Sequence, residues 1–182
     1  MQLRSLFYFS SLATVALGAT IQDVVGNIGD IQTQATTLNN AITGFPIIPS
    51  ITNLGTIVSI ISTTGNAIIT LETATTNAQS VPTPVSVADA TLVLNAINSC
   101  KGPVEAALAA LVKKKSAFQA LLNLIPGTSS FNPIRQGLII LNFNVMALGN
   151  LLVSMAPTEL QAQAVGNRTE IFNAFTTTIA AF

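Results

Sequence analysis

The side chains able to carry chemistry are few, and their spacing does not bring them together. The sequence has no histidine, the commonest general base and the commonest metal ligand in enzymes. Asp23 and Asp30 share a helix face but lie two turns apart, about 10.5 Å, which is too far to grip one metal ion together. Glu105, Glu159 and Glu170 are isolated, so a carboxylate pair assembled by folding is the only catalytic alternative. The sequence therefore predicts no catalytic residue, no metal site and no cofactor.

Cys100 is the only cysteine, and no histidine is present to activate it as a nucleophile. The sequence also has no Gly-x-Ser-x-Gly elbow and no phosphate-binding Gly-x-x-x-x-Gly-Lys loop. Because one cysteine cannot form an internal disulfide, we predict a free thiol buried as a small apolar group. A disulfide-linked dimer is the alternative.

Lys113, Lys114 and Lys115 form the one cluster of charge in the sequence. The simplest interpretation is a solvated helix face. Lys115, however, lies three or four residues from both Leu111 and Phe118, so it borders an apolar stripe. The alternative is that its stem follows this stripe and its ammonium pairs with the carboxylate of a bound amphiphile at the rim.

The chain that must position these side chains is unusually apolar. Of its 182 residues, 49% are hydrophobic and 8% charged, whereas ordinary globular proteins carry roughly 25% charged residues. This length suits one domain, and this composition excludes a disordered chain. Seven basic residues balance seven acidic ones, so the chain lacks the basic field that nucleic acid requires.

The N-terminal residues have the layout of a secretory signal peptide. Arg4 precedes an apolar stretch through Leu17, and the small residues Gly18 and Ala19 follow. A membrane anchor is the alternative, but the stretch is short and interrupted by serine and threonine. We predict a signal peptide over residues 1–19 and one extracellular domain over residues 20–182. No transmembrane segment is expected, because the best later apolar run is only Leu138–Leu141.

Two features predict modification outside the cell. Asn167-Arg168-Thr169 is a sequon, which predicts an N-linked glycan at Asn167. Clusters of threonine such as Thr176-Thr177-Thr178 are plausible O-mannosylation sites without a sharp motif. The last residues lack the long hydrophobic tail of a lipid-anchor signal, so we expect a product that is released or is held outside the cell, for example at the wall, without a covalent bond.

Hydrophobic spacing predicts helices throughout. Seven-residue spacing covers the segment from Ile21 to Phe45, and Pro46 ends it. A second helix starts near Ser50, and its predicted inner line comprises Ile51, Leu54, Val58, Ile61, Gly65, Ile68 and Glu72. Its apolar face is wider than this line, because it also includes Ile57, Ile60, Ile69 and Leu71. A strand would instead alternate with period two.

Turn and capping residues divide the rest of the chain. Ser86 with Asp89 begins a third helix, and Gly102-Pro103 kinks or breaks it. Pro126-Gly127 ends that stretch, Asn132 with Pro133 starts the next helix, and Thr158 with Gln161 fits a capping box for the last. We predict an all-α fold, a single antiparallel bundle of five amphipathic helices, or six if Gly102-Pro103 is a true break.

Three short stretches resemble a known family. They are AINSCKGPV at 96–104, KKSAF at 114–118 and MAPTEL at 155–160. With the signal peptide and the Ile-rich early helices, they resemble the fungal hydrophobic surface-binding protein A family, which includes antigenic cell-wall galactomannoproteins. The resemblance covers essentially the whole mature chain. It implies a secreted helical domain without catalysis, with hydrophobic solids, a secreted esterase or fatty acids as partners. The chain lacks the long Ser/Thr/Pro-rich tail of wall-type members, which argues against covalent wall attachment.

The sequence leaves three functions open for a monomeric protein. The broad apolar helix faces favour binding of fatty acids or other lipids inside the bundle, or adsorption to hydrophobic surfaces, rather than catalysis. A structural cell-wall mannoprotein with no specific ligand is the alternative. The candidate residues for lipid or surface contact are Leu111, Lys115, Phe118, Leu122, Leu141, Val145 and Phe175.

Overall fold

The computed structural model describes residues 18–124 and 133–182, and these segments contain five α-helices and no strand. A short 3-10 turn at Ile51–Asn53 leads into the second helix. The all-α prediction is confirmed. The helices are α1 (Ile21–Thr43), α2 (Leu54–Ser80), α3 (Val87–Leu122), α4 (Pro133–Met155) and α5 (Thr158–Ala181). The predicted stop at Pro126-Gly127 and the predicted cap at Asn132 lie outside the described residues, as do residues 1–17.

Side-chain caps begin two of the helices. Thr20 and Asp23 form a capping box at α1, and the hydrogen bonds from the backbone and hydroxyl of Thr20 lower the pKa of Asp23. Ser86 caps α3 as predicted, because its hydroxyl accepts the backbone N–H of Asp89 at 3.1 Å. The capping box predicted at Thr158 is wrong, since α5 begins at Thr158 itself and Pro157 has no side chain able to cap it.

The third helix continues through Pro103 without a break. Proline removes one backbone donor and normally pushes the preceding residue out of the helical region by a clash with its Cβ. Gly102 has no Cβ and open space around it, so it can keep helical backbone angles before the proline. The bundle therefore has five helices in its described residues, not six.

The five helices close into a ring. Each helix packs mainly against two others, in the spatial order α1, α2, α4, α5, α3 and back to α1. Consecutive helices in the chain run in opposite directions, as hydrogen bonds from Asn77 to Asn27 and from Gln34 to Thr70 show for α1 and α2. A ring with an odd number of members cannot alternate direction all the way round. The antiparallel arrangement therefore applies to helices that are consecutive in the chain, whereas some neighbours in the ring are parallel.

Helices α3 and α5 are one parallel pair. Lys101 of α3 pairs with Glu170 of α5, and fourteen residues later Lys115 donates to the carbonyl of Ala181. Lys114 donates to the carbonyl of Phe45, just beyond the end of α1. The lysine cluster thus supplies donors to carbonyls at the ends of α1 and α5, where the helix dipoles are negative.

Three residues of the inner line predicted for helix α2, Ile61, Gly65 and Ile68, line the cavity described below. The residues that widen this face, Ile57, Ile60 and Leu71, are buried, whereas Val58 of the predicted line is 64% exposed. Apolar residues surround this helix on all sides, so their spacing cannot select one inner face. Packing against α1 and α4 decides the rotation.

Two helical segments are long and apolar enough to cross a bilayer by length and composition alone. They are Ile51–Ser80 and Pro133–Met155, with mean hydropathies of 1.5 and 1.8. Neither segment is an unbroken apolar run in the sequence, because polar residues are interspersed in both. In the folded chain, α2 and α4 lie side by side in the ring, and both contribute inner faces to the cavity described below.

We expect Phe118→Ala to lower the free energy of unfolding by about 3–5 kcal/mol, measured by urea denaturation. Phe118 is fully buried and stacks on Phe45 with ring centroids 4.6 Å apart, so truncation leaves a cavity and removes an aromatic pair. The matched control is Phe143→Ala, because Phe143 is 74% exposed on α4. Equal losses in the two variants would contradict the packing described here.

Candidate functional site: an apolar cavity inside the helix ring

The ring surrounds a partly open cavity of about 340 Å³, and all five helices contribute to its walls. Its walls are almost entirely aliphatic, with Leu38, Leu71, Leu108 and Leu148 as examples from four of the helices. This volume falls in the range of small-molecule sites, roughly 300–1,000 Å³. The predicted bundle therefore has room for a guest and is not a fully packed core.

The cavity is elongated along the bundle. On α4 the lining residues run from Pro133 to Val153, which at 1.5 Å per residue is about 30 Å. Gly137 and Gly149 both line the cavity, and because glycine has no side chain they leave space along the inner face of α4. An elongated, aliphatic space suits an extended hydrocarbon chain better than a compact polar metabolite.

Four of the predicted contact residues line the cavity. They are Leu111 of α3, Leu141 and Val145 of α4, and Phe175 of α5. Phe118 does not line it, because its ring is packed against Phe45 in the fully buried core. The predicted contact residues thus include some that line the cavity and one that belongs to the packed core.

The other two predicted contact residues lie away from the cavity. Leu122 is half-buried in the last turn of α3 and is not part of the lining. Lys115 does not reach the cavity either, because its ammonium donates to the carbonyl of Ala181 and lies 6.0 Å from the ring centre of Phe182. The hypothesis that Lys115 meets a bound carboxylate conflicts with this geometry.

Polar groups that were not among the predicted lipid-contact residues interrupt the aliphatic lining. Gln34 donates its amide N–H to the hydroxyl of Thr70, and that hydroxyl donates in turn to the carbonyl of Asn66. This chain of donors leaves the Oε1 atom of Gln34 buried as an acceptor without a partner. Gln34 lies three residues after Ile31 and four before Leu38, so the spacing of the apolar stripe of α1 marks its position as inward-facing.

Asn167 is the second such group. It is 7% exposed and lines the cavity, and its Nδ2 atom has no hydrogen-bond partner. The sequence carried a signal for this position, because Asn167 falls between Ala164 and Ile171 at the spacing of the apolar stripe of α5. Buried polar atoms normally find partners, so an unpaired donor here needs an explanation.

Cys100 also lines the cavity as a buried free thiol. Burial raises the pKa of this thiol to about 11, because the apolar surroundings disfavour the thiolate. A protonated thiol is a poor nucleophile, so Cys100 acts here as a small apolar group. The geometry supports the buried interpretation over the disulfide-linked dimer.

The burial of Asn167 conflicts with the glycan predicted from its sequon. N-linked glycosylation attaches the sugar to Nδ2, and in the fold this atom faces the interior without solvent contact. A glycan there would have to occupy the cavity or open the contact of α5 with its neighbours. The sequon therefore lies at a position that the folded bundle does not expose.

We expect the protein secreted from a glycosylating yeast to carry an unmodified Asn167. Peptide mass spectrometry, combined with treatment by an N-glycan amidase, measures the occupancy directly. The control variant Thr169→Ala removes the sequon but keeps the asparagine, and its intact mass should differ from that of the parent only by the substitution. A folded, soluble protein with an occupied Asn167 would contradict the orientation of α5.

The ring of helices and its elongated apolar cavity define an all-helical bundle built around an apolar space. The sequence profile of hydrophobic surface binding protein A matches residues 21–154, and the chain belongs to this family. Family membership confirms the resemblance found in the sequence and the prediction of a non-catalytic binding protein. No group of three or more metal-ligating side chains occurs in residues 18–124 and 133–182.

Solved structures share the fold. Afmp4p, crystallised in complex with palmitic acid, has a TM-score of 0.77 at 22% identity, over 88% of this chain and 98% of that one. Ligand binding domain 2 of the Penicillium marneffei MP1 protein, complexed with multiple arachidonic acids, has a TM-score of 0.73 at 17% identity, over 88% and 94%. Its ligand binding domain 1, complexed with arachidonic acids, has a TM-score of 0.68 at 17% identity, over the same shares of the two chains. No curated protein matches the chain in sequence.

Proposed function

We propose that the chain binds a fatty acid inside the helix ring. The observation that carries this proposal is the elongated aliphatic cavity, whose walls come from all five helices. Proteins of the same fold have been crystallised with palmitic acid and arachidonic acids, which supports the choice of ligand class. The paucity of polar groups in the walls excludes recognition of a highly polar guest.

Burial of the acyl chain supplies the affinity. Each buried methylene gains about 0.8 kcal/mol, so a long acyl chain gains on the order of 10 kcal/mol. Immobilisation of the ligand offsets about 4 kcal/mol or more. The balance is sufficient for micromolar binding without any specific polar contact. Filling the cavity also restores the dispersion contacts that an empty space denies to its lining.

We expect Val145→Phe to weaken the binding of palmitic acid about tenfold or more, because the larger ring occupies space that the acyl chain needs. Val145 lines the cavity from α4 and is half-buried. Titration of the delipidated protein with a fluorescent or isotopically labelled fatty acid measures the effect.

The matched control for this substitution is Val165→Phe. Val165 is an exposed residue of α5 outside the cavity lining, so the same change there should leave binding unaltered. Equal affinities of both variants and the parent would place the ligand elsewhere. Failure of the parent to take up any fatty acid saturably would remove the proposed function.

A second candidate function is adsorption to hydrophobic surfaces. The segment between α1 and α2 presents Ile47 and Ile48 at 81% and 89% exposure, with Ile51 also exposed beside them. Consecutive exposed isoleucines next to apolar helix α2 form a patch that a monomer would not maintain for stability. The description of the family as hydrophobic surface binding supports this second candidate.

We expect the double variant Ile47→Ser/Ile48→Ser to be retained less on hydrophobic beads than the parent, with fatty acid uptake unchanged. The residues are exposed, so their removal should not alter the fold. The control Val87→Ser/Leu92→Ser removes two exposed apolar residues of α3 instead. Equal retention of the two double variants would show that the patch has no special role.

The setting of this activity is also part of the proposal. We propose that residues 1–19 act as a signal peptide and that the monomeric domain acts outside the cell, held at the wall without a covalent bond. A secreted esterase as partner rests on the family resemblance alone. A purely structural wall mannoprotein is the outcome that would follow if neither fatty acids nor hydrophobic beads were bound.

A further inference from the structure

We propose that Asn167 and Arg168 of α5 form the carboxylate-binding end of the cavity. This inference rests on the proposed fatty acid function and assigns the orientation of the ligand within it. The carboxylate would lie where α5 faces α4, and the acyl chain would extend from there along α4 towards Pro133. The distance from Gly149 to Pro133 along α4 is about 24 Å, which leaves room for a long chain.

Asn167 supplies a donor that the protein itself does not use. Its side chain is more than nine-tenths buried, it lines the cavity, and its Nδ2 atom has no partner. An unpaired buried donor destabilises the protein, so a ligand oxygen that accepts a hydrogen bond from it removes that penalty. A carboxylate is an acceptor with four lone-pair positions and fits this requirement.

Arg168 adds a positive charge next to this donor. It also lines the cavity, and its Nη1 atom donates to Oδ1 of Asn150 at 2.8 Å, which holds the side chain across α4. No carboxylate of the described residues forms an ion pair with Arg168, so its charge is not neutralised there. Further guanidinium N–H groups remain to donate to a ligand.

Gly149 creates the space in which Arg168 lies. A Cβ at this position would come within 3.0 Å of Cγ of Arg168, closer than ordinary side-chain contacts. A glycine at this place in α4, despite its low helix propensity, lets the arginine stem pack directly on the helix backbone. Gly149 thus leaves room on α4 for the Arg168 side chain.

The other polar groups do not suit a carboxylate. Gln34 presents an unpaired acceptor, which repels an anion. Lys114 and Lys115 donate to the carbonyls of Phe45 and Ala181, outside the cavity lining. Only the Asn167–Arg168 pair combines a free donor, positive charge and access to the cavity among the described residues.

The test compares palmitic acid with methyl palmitate on the delipidated full domain. Asn167→Leu removes the donor at similar volume, and Arg168→Met removes the charge while keeping much of the stem. Each variant should weaken palmitic acid binding about tenfold or more, since hydrogen bonds to charged groups contribute in that range. Binding of the methyl ester, which has no charge to pair, should change little.

The matched control is Asn142→Leu. Asn142 also carries a buried side-chain atom without a partner, but it lies on α4 outside the cavity lining. Its substitution should leave both ligands unaffected. Circular dichroism and thermal unfolding show whether each variant is folded, and Arg168→Met decides the question if Asn167→Leu does not fold.

Two failures are distinguishable in this experiment. If the parent binds both ligands and the α5 variants weaken them equally or not at all, the carboxylate assignment is overturned and the cavity stands. If the parent binds neither ligand saturably, the proposed function itself is lost. Selective loss of the acid, with the ester retained, supports the assignment.

Discussion

The structure depends on the simultaneous burial of the apolar faces of five helices away from water. With so few charged residues, the chain has little other means of organising its surface, and each helix must cover its neighbours. In a bundle of four helices the inward side chains meet at the bundle axis. Five helices arranged in a ring lie further from that axis. The inward side chains then fail to meet in the middle, and an elongated space remains. Cavity and fold are therefore two results of one packing constraint.

The odd number of helices also explains the lysine cluster. Because directions cannot alternate around a ring of five, parallel neighbours bring helix C-termini together at one end. Their unpaired carbonyls and negative dipole ends need donors. Lys114 and Lys115 supply them to Phe45 and Ala181. The densest charge in the sequence thus serves the closure of the bundle rather than the binding of a ligand.

Asn167 belongs to two sequence patterns whose structural predictions are incompatible. As part of a sequon it indicates an exposed, modified surface, and as a member of the α5 stripe it indicates an inward position. The fold selects the second, because Ala164, Ile171 and Phe175 share its face and all line the cavity. Its amide then becomes a polar feature in an aliphatic wall, where an unsatisfied donor destabilises the empty protein and favours an occupied one.

The sequence by itself determined the type and approximate limits of the helices, the absence of the usual catalytic motifs, and the family. Seven-residue spacing, Ser86 and the prolines act locally, so they can be recognised without knowing the fold. Tertiary structure alone decided the continuity of α3 through Pro103, which apolar residues of α2 are fully buried, and the orientation of Asn167 and Lys115. It also decided that a cavity exists, because empty volume is a property of how helices pack around one another and no single helix encodes it.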